Sequence, residues 1–301
     1  MSFRKMCALR VFTSNEAALT FCEDWGIVKK TNTCACGKEM LKQRAKTVDG
    51  WRWQCSACKS TASLRSGSFW AHSRIEMHQL LALTFFWACQ LEGEMIATHT
   101  GLSGRTVTSW SQRFQVLCSQ AVERKRKPIG GQNETVAVDE THLARRKWTG
   151  NPQARRVPAL WAFGGIQLST RELFVRVVPV ETGRTREALE RLIEENIKEN
   201  TTIRTDYFRS YNHISEMGRG YKHERVNHQL HYVDPSGITT NDVESCWSSL
   251  KRYLRRRQSV PRRTLQQHIN VWIWLRRRPK EKIVHDLLWL LAEYLARHAR
   301  Q

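Results

Sequence analysis

Apolar residues recur with different periods in successive parts of this chain. Short β-like segments fill the gap between the first and second cysteine pairs, and Trp51 and Trp53 alternate along a strand just before Cys55. From about residue 75 the period lengthens. RIEMHQLLALTFFWACQL predicts one long apolar helix, and EGEMIATHTGLSGRTVTSWSQRFQVLCSQAV predicts a helix, a turn at Gly101-Leu102-Ser103-Gly104 and a second helix. In the second helix Val107, Trp110 and Phe114 face inward, with Ser103 as its cap. ERKRKPIGGQNE is a basic run followed by Pro and paired Gly, the composition of a linker. Strands then follow at TVAVDE, PALWAFGGIQ and ELFVRVVPV, a helix at TREALERLIEENI, and a strand at TTIRTD. After an irregular YFRSYNHISE come a short strand at HERVN and a long helix from Asn241. The tail carries helical stripes of Ile, Trp and Leu.

Three meandering strands, a crossover helix and then parallel strands is the element order of a ribonuclease-H-like fold. The expected class is therefore α/β, with a mixed sheet and flanking helices over residues 131–260. Residues 1–73 form an N-terminal segment with clustered cysteines, and 74–130 a helix-turn-helix-like region with its linker. Helices over 261–301 cover the catalytic domain or support a dimer through Leu287, Leu288, Leu290, Leu291 and Tyr294.

Charge narrows the partner. There are 49 Lys and Arg against 28 Asp and Glu, a formal charge of +21, which favours a polyanion and above all nucleic acid. No run approaches the roughly 18 apolar residues of a membrane span, and MSFRKMCALRVF lacks an apolar signal core with a cleavage site, so an intracellular protein without membrane contact is expected. Of the nine cysteines, Cys34, Cys36, Cys55 and Cys58 gather in two pairs while the rest are scattered. Two cysteine pairs on hairpin turns form a zinc ribbon, in which four thiolates satisfy one structural Zn²⁺ and replace a core too small to fold alone. The first pair has one residue between its sulfurs where two is usual. Buried or free thiols are the other reading.

Three acids stand where elements can aim them inward. Val136, Ala137 and Val138 read as a buried strand delivering Asp139, Ile203 leads a strand delivering Asp206, and Glu244 lies in the first turns of a helix. Three such carboxylates suit a site for two Mg²⁺ or Mn²⁺ ions about 4 Å apart, which activate a water and stabilise the leaving oxygen of a phosphodiester. Asp139 would bridge both ions, with Asp206 and Glu244 holding one each. Glu140, next in the strand, points to the opposite face.

These residues resemble the DDE transposases of the Merlin superfamily and the related bacterial insertion-sequence transposases. The resemblance rests on Val138-Asp139-Glu140-Thr141, on Thr205-Asp206 with Tyr211-Asn212, and on Val226-Asn227-His228. It rests above all on the run from Thr240 to Lys251, where Asn241, Glu244, Trp247 and Lys251 share one helical stripe. The resemblance implies DNA cleavage and strand transfer, binding to terminal inverted repeats and to target DNA, and a homodimer or higher oligomer, because joining two ends needs two active sites. It also implies that Asn241 can replace or assist Glu244, since part of the bacterial group has Asn in place of the last acid.

Further contacts with DNA are expected from several places. Arg105, Thr106 and Thr108 begin the helix that would enter the major groove, unless the pair is an ordinary helical hairpin. Arg145, Arg146 and Lys147 beside Trp148 form a loop that grips backbone or is merely solvated. Lys251, two turns after Glu244, reaches a phosphate, while Arg252 and Arg255 are either contacts or a solvated face, and His228 orients a ligand or is a satisfied surface group. Arg124-Lys125-Arg126-Lys127-Pro128 fits nuclear import, or simple nucleic-acid binding at a bacterial nucleoid. Three functions stay open: an active cut-and-paste transposase, a catalytically silent domesticated descendant that binds specific DNA, and a nuclease or resolvase without strand transfer.

Overall fold

The computed structural model describes residues 10–144, 159–226, 241–257 and 260–298. The chain divides into two compact units, Met1–Ala121 with Leu275–Gln301, and Val122–Trp274.

The first unit begins with helix α1 (Asn15–Asp24), whose N-terminus is capped by Ser14. A four-stranded antiparallel sheet follows in the order β1 (Asn32–Thr33), β2 (Glu39–Arg44), β3 (Trp51–Cys55), β4 (Thr61–Ser63). Its hydrophobic face is thin, with Met40 and Trp53 buried and Leu41 exposed. Arg65 compensates in part. Its guanidinium is 2% exposed and grips Asp49 from two nitrogens, at 2.9 Å from Nε and 2.5 Å from Nη2. A third nitrogen donates to the Ser73 carbonyl at 3.3 Å, so one side chain joins the β2–β3 hairpin to the segment leading into the helices.

Those helices are α2 (Met77–Ala88), α3 (Gly93–Thr100) and α4 (Gly104–Arg124). The N-cap residue of α2, Glu76, makes no side-chain cap; Asn15 of α1 instead accepts the Met77 N–H at 2.7 Å and donates to the Val48 carbonyl at 2.9 Å. Gly101 ends α3 at φ +68°, a left-handed conformation open to glycine at low cost, and Ser103 accepts the Thr106 N–H at the start of α4. Val107, Trp110 and Phe114 are buried, as their spacing requires.

The C-terminal block is divided between the units. Helix α7 (Leu265–Arg276) lies almost wholly in the second unit, and α8 (Ile283–His298) in the first, where Leu287, Leu288, Leu290 and Leu291 are buried and Tyr294 meets Phe69 edge-on at 5.3 Å. Leu287, Leu288, Leu290, Leu291 and Tyr294 thus serve the core of the unit that begins the chain, rather than the cover of a catalytic domain. Pro279 stops the preceding helix and lets the chain turn, and Arg278 then pairs with Asp286 at 2.8 Å.

The second unit is a mixed α/β structure around a five-stranded sheet. In spatial order its strands are β7 (Leu173–Val177), β6 (Leu160–Gln167), β5 (Thr135–Ala144), β8 (Thr202–Thr205) and β9 (Lys222–Arg225). The first three are antiparallel; β8 and β9 run parallel to β5. Helix α5 (Arg186–Asn196), capped by Thr185, buries Leu189, Leu192 and Ile193 against Val136, Val138, Phe163 and Ile203. Helix α6 (Asn241–Arg255) buries Val243, Cys246, Trp247 and Leu250. Gln266 of α7 covers the free edge of β7, accepting the Val177 N–H at 2.9 Å and donating to the Val175 carbonyl at 3.0 Å.

Removing the Arg65 side chain leaves Asp49 buried without its cation. Arg65→Ala is expected to destabilise the protein by about 3–5 kcal/mol in chemical denaturation. A loss below about 1 kcal/mol would show that the pair contributes no more than an exposed ion pair.

Candidate functional site

The first cluster is built by two turns of the small sheet. The Gly37 N–H bonds to the Cys34 carbonyl at 2.8 Å, with Gly37 at φ +82°, and the Lys59 N–H bonds to the Cys55 carbonyl at 3.2 Å. These turns bring four sulfurs together: Cys34 lies 3.4 Å from Cys58, Cys36 lies 3.5 Å from Cys55, and all four are within 4.8 Å of one another. Four thiolates around a zinc at 2.3 Å would stand about 3.8 Å apart, so the donor set and its size fit such a metal. None of the four is in a disulfide. Hydrogen bonds from the Ser60 hydroxyl and the Ser60 N–H bring the Cys58 thiol down to about 6. The Ser60 hydroxyl lies 3.0 Å from both Cys34 and Cys58, and it also lowers Cys34. The single-residue spacing of Cys34 and Cys36 is no obstacle to convergence.

The second cluster lies midway along β5 and just past the C-terminal end of β8. Ala137 pairs with Arg204 in parallel register, and extending that register by two residues sets Asp139 beside Asp206. Both are partly buried. Each carboxylate is held by local backbone: Asp139 Oδ1 accepts the Glu140 N–H at 2.7 Å, and Asp206 Oδ1 accepts the Phe208 N–H at 2.9 Å. The other oxygen of Asp139 accepts the indole N–H of Trp247 at 2.9 Å.

That indole reaches Asp139 because of a missing side chain. Asp139 stands opposite Gly164 on β6, and a Cβ at Gly164 would lie 2.5 Å from the Trp247 ring and 2.8 Å from the Phe174 carbonyl. Only a glycine lets the ring come this close to the strand here. Glu244 is three residues earlier on the same helix, so it shares the stripe of Trp247 one turn away, exposed to solvent. The three carboxylates do not draw together as tightly as the cysteines, whose cluster is the one group of three or more candidate ligands within 4.8 Å among the described residues.

Glu140 sits on the other face of β5. Its carboxyl is partly buried beside Tyr211, and Glu140 Oε1 and the Tyr211 hydroxyl are both buried without a hydrogen-bond partner among the described residues. Burial pushes Glu140 up to about 7; the charges of Asp139 and Asp206 add to this, while Tyr211 and Arg184 oppose it. The depth of this burial was not readable from an acid at a strand end.

Lys251 is partly buried on the Glu244 stripe, and Arg252 and Arg255 are exposed on the same helix. Asn241 opens α6, but its side chain, with the expected contacts Arg145, Arg146, Lys147, Trp148 and His228, lies outside the described residues. Arg105 and Thr108 are exposed and Thr106 partly so at the start of α4. A cationic feature the sequence did not mark is Arg184, stacked against Trp161 and Phe208.

Residues 122–269 match the family described as the ISXO2-like transposase domain. Two curated relatives align with parts of the chain. Male abnormal protein mab-31 of Caenorhabditis elegans is 24% identical over 168 residues, covering 49% of this chain and 39% of that protein. An uncharacterized transposase-like protein of Haemophilus influenzae is 27% identical over 85 residues, 28% of this chain and 65% of that protein. The chain therefore spans less than two thirds of the length of either. A cryo-EM structure of the simian T-cell lymphotropic virus intasome in complex with PP2A regulatory subunit B56 gamma aligns at 13% identity with a TM-score of 0.34, over 68% of this chain and 74% of that one.

Two outcomes are expected from this geometry. Gly164→Ala forces the Trp247 ring off β6 and is expected to lower stability by about 1–3 kcal/mol in urea denaturation; an unchanged midpoint would mean that the ring is not held on the strand. The second concerns pH. A carboxyl near 7 in the folded chain and about 4.3 in the unfolded one favours folding while protonated, and this contribution is lost as pH rises through 7. In Mg²⁺-free buffer Glu140→Gln should thus be more stable than the parent at pH 8, with the difference shrinking toward pH 5. A difference independent of pH would show an ordinary Glu140.

Proposed function

Since residues 122–269 of this chain match the family described as the ISXO2-like transposase domain, we propose that it is a DNA transposase that binds terminal inverted repeats and performs cut-and-paste transposition with a ribonuclease-H-like domain. The observation that carries the proposal is the hydrogen bond from Trp247 to Asp139, which ties the helix bearing Glu244 to the strand bearing the first acid. The strand order β7-β6-β5-β8-β9, with β8 and β9 parallel to β5, supports the fold assignment.

In this reading Asp139, Asp206 and Glu244 hold two Mg²⁺ or Mn²⁺ ions, which supply water activation and stabilisation of the leaving oxygen. The chain's own share is orientation. Trp247 and the Glu140 N–H fix both oxygens of Asp139, and the Phe208 N–H fixes one of Asp206, so the carboxylates are set before any ion or DNA arrives. Lys251 meets a phosphate of DNA docked at the acids. The cysteine cluster holds one structural Zn²⁺; with α3 and α4 it forms the part of the protein that reads the element ends, and Arg105, Thr106 and Thr108 face the major groove. The excess of basic residues suits a polyanionic partner. No helix among the described residues is long and apolar enough to cross a membrane. Joining two ends calls for at least two copies of the chain, acting at chromosomal DNA in a nucleus or a nucleoid.

The test is cleavage of labelled DNA carrying the sequences that flank the gene, with Mg²⁺ or Mn²⁺. The expected result is metal-dependent cutting and joined products by the parent chain, abolished in Asp206→Asn, which keeps the shape of the side chain but loses its charge. Cutting that survives Asp206→Asn would overturn the site. Cutting without joined products would point to a nuclease or resolvase, and binding without cutting to a domesticated DNA-binding protein.

A further inference from the structure

Between β7 and α5 the chain places one arginine in an unusual setting. Arg184 immediately precedes Thr185, the N-cap of α5. Its Cζ stands 3.7 Å from the ring centroid of Trp161 and 4.6 Å from that of Phe208. The Ser210 hydroxyl donates to the Arg184 carbonyl at 3.0 Å and fixes the backbone as well. A guanidinium is a rigid planar fork, and stacking on rings occupies its faces while leaving its N–H edge available for two parallel bonds to one oxyanion. Among the described residues that edge makes no hydrogen bond, and no carboxylate lies within 4 Å of it. Holding so long a side chain in one conformation has an entropic cost, here offset by the aromatic contacts.

Its neighbours connect it to the acids. The Phe208 N–H donates to Asp206, so the ring stacked on Arg184 belongs to the residue that orients that carboxylate. Trp161 pairs across the sheet with His142, three residues beyond Asp139 on β5, so it stands on the Glu140 face of the sheet, about 10 Å along the strand from the acids. Along the strand alone that offset corresponds to roughly three nucleotides at 3.4 Å of axis each.

We propose that Arg184 is a phosphate-binding positioning residue, receiving through its free edge a backbone phosphate a few nucleotides from the phosphodiester at Asp139 and Asp206. This rests on the reading of the protein as a DNA-cleaving transposase. The alternative is an arginine that only packs Trp161 against Phe208.

The slope of log affinity against log salt separates the two, measured on the full chain with a DNA duplex for the parent, Arg184→Gln and Arg184→Lys, with the denaturation midpoint followed in parallel. Each phosphate contact on duplex DNA contributes about 0.9 to that slope. Arg184→Gln should be less steep by about that amount and bind more weakly at low salt. Arg184→Lys should keep the parental slope yet bind more weakly than the parent, since it retains charge but not the fork. An identical slope for the parent and Arg184→Gln overturns the proposal, whatever happens to the midpoint. Cleavage by the parent is read separately: a slope that depends on Arg184 in a chain that never cuts removes the transposase reading and leaves the phosphate contact standing, while a chain that cuts with an Arg184-independent slope does the reverse. Absence of DNA binding by the parent overturns both.

Discussion

The second unit is organised around one hydrogen bond, from the indole N–H of Trp247 to the carboxylate of Asp139. An indole packed on a strand loses water at its nitrogen and must find an acceptor. A carboxylate within a strand gains a donor without gaining a cation. The bond requires a flat strand surface, which Gly164 supplies, and a helix whose buried stripe of Val243, Cys246, Trp247 and Leu250 presses the ring onto it. Packing and polar geometry are solved together, since the same ring that fills the space over β6 also fixes the acid.

The first unit meets a different shortage. Its small sheet buries few side chains, so polar staples replace a core: four convergent sulfurs at one end, the enclosed Arg65–Asp49 pair at the other, and Asn15 joining the hairpin to α2. Such contacts are directional, and they fix geometry more sharply than apolar burial of the same extent.

Much of this was legible in the sequence, and the remainder divides along physical lines. Elements with a clear period were readable, including the meander of β5, β6 and β7, the helix carrying Leu189, Leu192 and Ile193, and the inward face of Val107, Trp110 and Phe114. So was the cysteine cluster, because thiols in close pairs have few other uses. Periodicity identifies an apolar face but not what covers it, so the neighbours of α8 could not be chosen from the sequence. Contacts between distant residues were equally hidden: Trp247 and Asp139 are 108 positions apart. Yet the paired glycines at 164 and 165, inside an otherwise apolar strand, were a signal of close approach from both faces: a Cβ on Gly164 would meet Trp247, and one on Gly165 would meet Phe174 and Val138. Arg184 left no trace in the sequence, because its rings come from β6 and from the turn after β8.

The shared duty of Asp139 bears on how descendants of such a protein would evolve. A lineage relieved of selection for cutting DNA would still need an acceptor for the Trp247 indole, and stability alone would keep an acid or a close substitute at position 139. Among the described residues the Asp206 carboxylate accepts the N–H of the neighbouring turn rather than a distant side chain, so purifying selection on folding would protect it less. In a comparison of lineages, on the transposase reading proposed above, decay at position 206 would therefore precede decay at position 139.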